Sequence, residues 1–132
     1  MAADSITILV VDDEKIPRAL RSLILQKKGY RVVAAASGKE ALELLVGGVF
    51  HLVLSDQMMP GMTGTELAKA IKSIRPAMPF ILISGVNEVP ADASYADRFV
   101  SKVGGPDLLF NTIAEVLNAY GHPLMPTSMD GF

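Results

Sequence analysis

The sequence contains no cysteine. Disulfides, thiolate metal sites and cysteine nucleophiles are therefore excluded. It has no basic excess: 12 Lys and Arg stand against 14 Asp and Glu, a formal net charge of −2. That balance gives little electrostatic support for direct nucleic-acid binding. Histidine is scarce, and His51 and His122 lie far apart in the chain. No apolar run approaches the ~20 residues a membrane helix needs, so no membrane partner is expected. The opening residues, MAADSIT, lack the basic and long apolar regions of a signal peptide. A cytoplasmic setting is the expectation. What is present is apolar mass: 50% of 132 residues are hydrophobic and 20% charged. That suits one domain with a packed core.

Strand-like and helix-like segments alternate along the chain. Residues 6–11 (ITILVV) form a β-branched apolar run, too short for a helix and long enough for a buried strand. Residues 17–28 carry Ala19, Leu20, Leu23 and Ile24 at helical spacing, with Ile16 as an extension of the stripe. Gly29 ends this helix, with Lys27 and Lys28 in its last turn. A second strand spans 31–35. Ser37 and Glu40 form a capping-box pattern before the helix of Ala41, Leu42, Leu44 and Leu45, which Gly47 and Gly48 stop. Strand three is 52–55. Thr63 or Gly64 starts helix three, with Leu67, Ala68, Ile71 and Ile74 on its apolar side. Strands 80–83 and 98–101 follow, then an amphipathic helix over 106–120. Residues 122–132 read as a tail or linker after a domain of 1–121.

Five βα units predict an α/β fold, a doubly wound five-stranded parallel sheet covered by helices on both faces. In such folds a site lies beyond the carboxyl ends of the strands. Those ends carry the reactive groups. Strand one ends at Asp12, Asp13 and Glu14. Strand three ends at Asp56, strand four at Ser84 and strand five at Lys102. Singly, each has a plain alternative: Asp12 and Asp13 as helix caps, Ser84 as a turn former, Lys102 as a solvated surface lysine. Asp56 resists the capping account, because the next helix starts about seven residues later. Together they line one edge.

Clustered carboxylates repel one another unless a cation intervenes. Mg²⁺ takes oxygen ligands, and carboxylates plus a loop carbonyl suit it. Asp56 could then attack a phosphoryl group as a carboxylate nucleophile, with Lys102 and the Ser84 hydroxyl as partners for the product oxygens.

The acidic pair in LVVDDE, the aspartate in LVLSDQMMPGMTG, the ILISG strand end and the FVSK lysine together resemble a receiver domain of two-component signalling. The resemblance covers about residues 5 to 121. It implies a flavodoxin-like sheet of order 2-1-3-4-5. It implies Asp56 as phosphoacceptor and Mg²⁺ as cofactor, held by Asp13 and Asp56 directly, by Asp12 mainly through water, and by the Met58 carbonyl. Ser84 and Phe99 match the two switch positions, and Lys102 the phosphate-binding lysine. The implied donor is a histidine kinase or histidine phosphotransfer domain. The implied role is signalling rather than enzymatic turnover. The effector stays open, as does the choice between a stand-alone chain and a piece of a larger regulator.

Three departures from the family pattern stand out. Val103 replaces the proline that usually follows the lysine, so either that peptide is trans and the loop differs, or strain is stored there. The stretch from Ser84 to Lys102 is short and contains Pro90 and weak helix formers, so helix four is expected to be short or irregular. Met58 and Val86, each two residues beyond a site residue, are apolar. They predict slow loss of the phosphoryl group, unless Met58 simply packs on its loop. Two other readings compete. One is a receiver-like interaction module that takes no phosphate. The other is a Mg²⁺ phosphatase, which would need a second acid where Met58 stands. A flavin site is disfavoured by the acidic first loop.

Overall fold

The computed structural model describes residues 6–85 and 95–121. Strands β1 (Thr7–Val11), β2 (Arg31–Ala35), β3 (Leu52–Asp56), β4 (Phe80–Ser84) and β5 (Arg98–Ser101) form one sheet in the order β2-β1-β3-β4-β5. Every pairing is parallel. Among the described residues the helices are α1 (Lys15–Lys27), α2 (Gly38–Gly47), α3 (Gly64–Ile74) and α4 (Gly105–Ala119). This is the expected doubly wound α/β sheet. The expected short or irregular helix between β4 and β5 lies in 86–94, outside the described residues. So do Val86, His122 and the tail 122–132.

The core sits in two layers because strand side chains alternate between faces. Ile8, Val10, Leu52, Leu54, Ile81 and Ile83 pack with Leu25 of α1 and Ile113 and Leu117 of α4. Leu9, Val11, Val53, Phe80 and Leu82 pack with Leu45 of α2 and Leu67 and Ile71 of α3. All five residues of β3 and of β4 are buried. These central strands therefore read as continuous apolar runs, as a sheet covered on both faces requires. β5 is an edge strand with only Val100 buried.

Helix entries follow local chemistry. Ser37 accepts the Glu40 amide, while the Glu40 carboxylate reaches back to the Ala36 amide at 2.6 Å. Thr63 and Glu66 complete a reciprocal capping box at α3, a signal the sequence carries at the expected start. Gly29, with φ of 98°, closes α1 in the left-handed region that glycine tolerates.

α1 corrects the sequence reading. Part of the stripe expected to face the core is turned outward: Ile16, Leu20 and Leu23 are 72, 57 and 50% exposed, whereas Ile24 packs on the core. Leu25 is the one fully buried side chain of the helix. The inward face instead carries Arg18 and Arg21, whose guanidinium groups are bound to Asp12. Apolar spacing defined the stripe correctly, but polar partners at the end of β1 set the rotation of the helix.

Candidate functional site

The strand ends meet as expected at the carboxyl edge of the sheet. β1 and β3 run side by side, with Val11 level with Ser55. Asp12 and Asp56 thus emerge next to one another, each 2% exposed. Asp13 is the most open of the three acids, and a carboxylate oxygen from each lies within 4.8 Å of the others.

Asp56 is held from several sides. Its Oδ2 accepts the Met58 amide at 3.1 Å. Its Oδ1 pairs with the Lys102 ammonium at 2.8 Å. Burial pushes the Asp56 carboxyl above the usual carboxylate range; the Lys102 hydrogen bond opposes this, Asp12 adds to it, and the charges of Lys102 and Arg21 oppose it. The loop beyond Asp56 is fixed by a residue not singled out in the sequence. The Gln57 side-chain oxygen accepts from both the amide and the hydroxyl of Thr65, at 2.9 and 2.8 Å. Gly64 packs so tightly under this loop that a Cβ there would lie 2.5 Å from the Asp56 carbonyl oxygen.

Ser84 ends β4, buried, and pairs with Ser101 of β5. The Lys102 amide donates to the Ser84 carbonyl at 3.0 Å. The peptide after Lys102 is trans, so the absence of proline leaves Lys102 in contact with Asp56. Phe99 is 40% exposed on β5, and Met58 is 56% exposed beside the acids. The Met58 side chain is therefore not packed into its loop.

Arg18 and Arg21 are the functional neighbours that the sequence reading missed. Arg21 Nη1 donates to Asp12 Oδ2 at 2.9 Å, and Arg18 Nη1 to the Asp12 carbonyl at 2.8 Å. A signal was available: 18, 21 and 25 share one helical face, and the buried Leu25 fixes that face inward.

Known proteins resemble this chain in sequence and fold. A family model described as the response regulator receiver domain matches residues 8–114. The sensor kinase CckA of Brucella abortus is 38% identical over 121 residues, covering 86% of this chain and 13% of CckA. The hydrogenase transcriptional regulatory protein HoxA of Cupriavidus necator is 33% identical, covering 92% of this chain and 26% of HoxA. The chain thus spans about a quarter or less of these curated relatives. Among solved structures, the response regulator TrrA of Thermotoga maritima, in complex with Mg²⁺ and BeF, is 34% identical with a TM-score of 0.79. The match covers 84% of this chain and 98% of TrrA. NtrX of Brucella abortus, in complex with ADP, is 30% identical with a TM-score of 0.81, covering 91% of this chain and 28% of NtrX. With the family model matching most of its length, the chain belongs to the response regulator receiver domain family.

Proposed function

We propose that this chain is a phosphoacceptor: it takes a phosphoryl group from a phosphohistidine donor onto Asp56 in a Mg²⁺-dependent step. The observation that carries the reading is the buried Asp56 carboxylate with Lys102 at 2.8 Å and two further acids in reach. A nucleophilic oxygen, a cation for the transferred group and a hard-cation ligand set occupy one edge.

The donor set fits Mg²⁺. Asp12, Asp13 and Asp56 offer oxygens within 4.8 Å of one another. Asp13 and Asp56 would hold the ion directly, with Asp12 acting through water and the Met58 carbonyl completing the protein ligands. Bound there, the ion would neutralise the acids and the incoming phosphoryl oxygens.

In the transfer, an Asp56 carboxylate oxygen forms a bond to phosphorus as the phosphorus–nitrogen bond of the donor breaks. The electron pair stays with the departing imidazole nitrogen, and the product is an acyl phosphate on Asp56. Lys102 pairs with one oxygen of that product. Ser84 moves to donate its hydroxyl to another, drawing the end of β4 inward. Phe99, half-exposed on β5, turns into the space released and changes the outer surface. Phosphorylation thereby biases a two-state equilibrium. Turnover of small phosphates is not part of this reading, because Met58 stands where a phosphatase of this chemistry needs its second acid.

The donor is a histidine kinase or histidine phosphotransfer domain. Its histidine must approach the carboxyl edge, which brings it against the start of α1. There Ile16 and Leu20 are exposed, an apolar strip beside the acids that suits a helical partner.

Incubation with Mg²⁺ and beryllofluoride, or with a phosphorylated histidine donor, tests the proposal. The intact chain should be modified and Asp56→Ala should not. Failure of the intact chain to react with either would support an interaction module that takes no phosphate.

A further inference from the structure

Lys102 is not the only cation at the acidic edge. Arg21 reaches the same edge from α1. Its Nη1 lies 2.9 Å from Asp12 Oδ2, and the two side chains are 14% and 3% exposed. The other oxygen of Asp12, Oδ1, accepts the Glu14 amide at 2.9 Å. Both oxygens of this acid are therefore already engaged. Arg18 holds the main chain of Asp12 in addition. The Arg21 charge also acts on Asp56, in the same direction as that of Lys102.

Three carboxylates carry −3, and Lys102, Arg18 and Arg21 carry +3, leaving the edge balanced. Without Arg21 the same edge would carry −1. A divalent cation is drawn more strongly to −1 than to a balanced edge, and in a mostly buried setting the difference is poorly screened. A guanidinium stays charged at every physiological pH, so this opposition is permanent.

We propose that Arg21 is a tethered counter-ion that competes with Mg²⁺ for Asp12 and so sets the Mg²⁺ concentration at which the site fills. The proposal rests on the metal reading given under Proposed function. The geometry leaves the guanidinium room to yield. Arg21 borders a cavity of about 190 Å³ between α1, β5 and the start of α4, which Ile24, Ser101, Lys102 and Pro106 also line. Withdrawal into that space would free Oδ2 without unfolding α1.

Calorimetric titration with MgCl₂ alone tests the idea on the intact chain, Arg21→Met and Arg21→Lys. Arg21→Met keeps much of the side-chain volume and removes the charge. It should bind Mg²⁺ about tenfold more tightly, the scale of one nearby charge in a partly buried site. Arg21→Lys should stay close to the parent. Equal or weaker binding by Arg21→Met would overturn the proposal. Should Arg21→Met fold poorly without metal, the parent chain offers an independent measurement. The ¹⁵N resonances of the Arg21 guanidinium should shift on Mg²⁺ saturation, and unchanged signals would overturn it equally. Absence of Mg²⁺ binding in every variant would instead sink the metal reading itself, whereas equal binding would remove only the role of Arg21.

Discussion

Lys102 Nζ lies 2.8 Å from Asp56 Oδ1, although a trans peptide and a valine follow the lysine. The alignment comes from the ladder rather than from the residue after it. The Lys102 amide donates to the Ser84 carbonyl, and the Val103 amide donates to the Ser101 hydroxyl at 3.2 Å, closing the turn. Lys102→Met should therefore fold normally and still lose function. We expect its rate of phosphorylation by a small phosphodonor to fall by about 10²-fold, the scale of one missing electrostatic donor. Mass spectrometry of the modified protein over time checks this. A rate within twofold of the parent would show that Lys102 serves only to neutralise Asp56.

Gly64 is a steric requirement of the site. A Cβ there would meet both the Asp56 carbonyl oxygen and Leu82 Cδ1 at 2.5 Å. One of these contacts is backbone and cannot rotate away. Gly64→Ala should cost about 1–3 kcal/mol in urea unfolding, the range for overpacking a tight core. It should also slow phosphorylation by displacing Asp56, while Gly61→Ala, with open space around its Cβ, should pay only for its positive φ.

Asp97 ties the opposite end of the sheet together. Its Oδ2 accepts the Phe80 amide at 2.7 Å and pairs with Lys72 at 3.0 Å, and its Oδ1 accepts the Tyr120 hydroxyl at 2.5 Å. Removing it strands the Phe80 amide and takes the carboxylate from Lys72, which keeps the Met78 carbonyl at 2.6 Å. Asp97→Ala should lose about 2–4 kcal/mol of stability, as for a broken partly buried network. Tyr120→Phe, which removes one member, should lose about 1 kcal/mol. Chemical denaturation measures both, and phosphorylation of Asp56 should persist in each, because the site lies at the other edge.

The same tyrosine predicts an alkaline limit. Burial, and then its bond to Asp97, push the Tyr120 hydroxyl up from 10.0 to about 12, and burial alone does the same for Tyr30. A folded-state pKa above the unfolded value means that the fold holds the phenol proton more tightly. The associated stability is complete below pH 10 and disappears as pH rises from 10 towards 12. Stability measured across that window should fall, less steeply in Tyr120→Phe, and ultraviolet titration should show two late tyrosinates.

Met58 exposes 56% of its surface next to Asp56, where an attacking water would have to approach. We expect the acyl phosphate to outlast that of Met58→Asn, whose amide can orient water. The decay of radiolabelled protein in Mg²⁺ gives both lifetimes, and equal lifetimes would remove Met58 from the account.

The sheet was legible because its code is local. Residues 52–55 and 80–83 read as strands from short, largely apolar runs, and the strands that form there are buried throughout. The rule that sites lie at carboxyl ends of parallel strands then gathered Asp12, Asp13, Asp56, Ser84 and Lys102 without any coordinates. Helix starts were equally readable where a capping residue stands, as at Ser37 and Thr63.

What one-dimensional pattern could not supply was the rotation of α1. Ala19, Leu20, Leu23 and Ile24, extended by Ile16, form an apolar stripe, and hydrophobicity alone turns all of it inward. The folded chain keeps Ile24 against the core and turns Ile16, Leu20 and Leu23 out, because Arg18 and Arg21 find Asp12, a residue brought within reach only when β1 and α1 pack together. The sequence by itself determined which elements form and which side chains stand at the reactive edge, since strand burial and chain direction are properties of neighbouring residues. Only the tertiary structure decided that Arg18 and Arg21 join Lys102 at that edge, since ion pairing depends on distances in space that residue spacing does not encode.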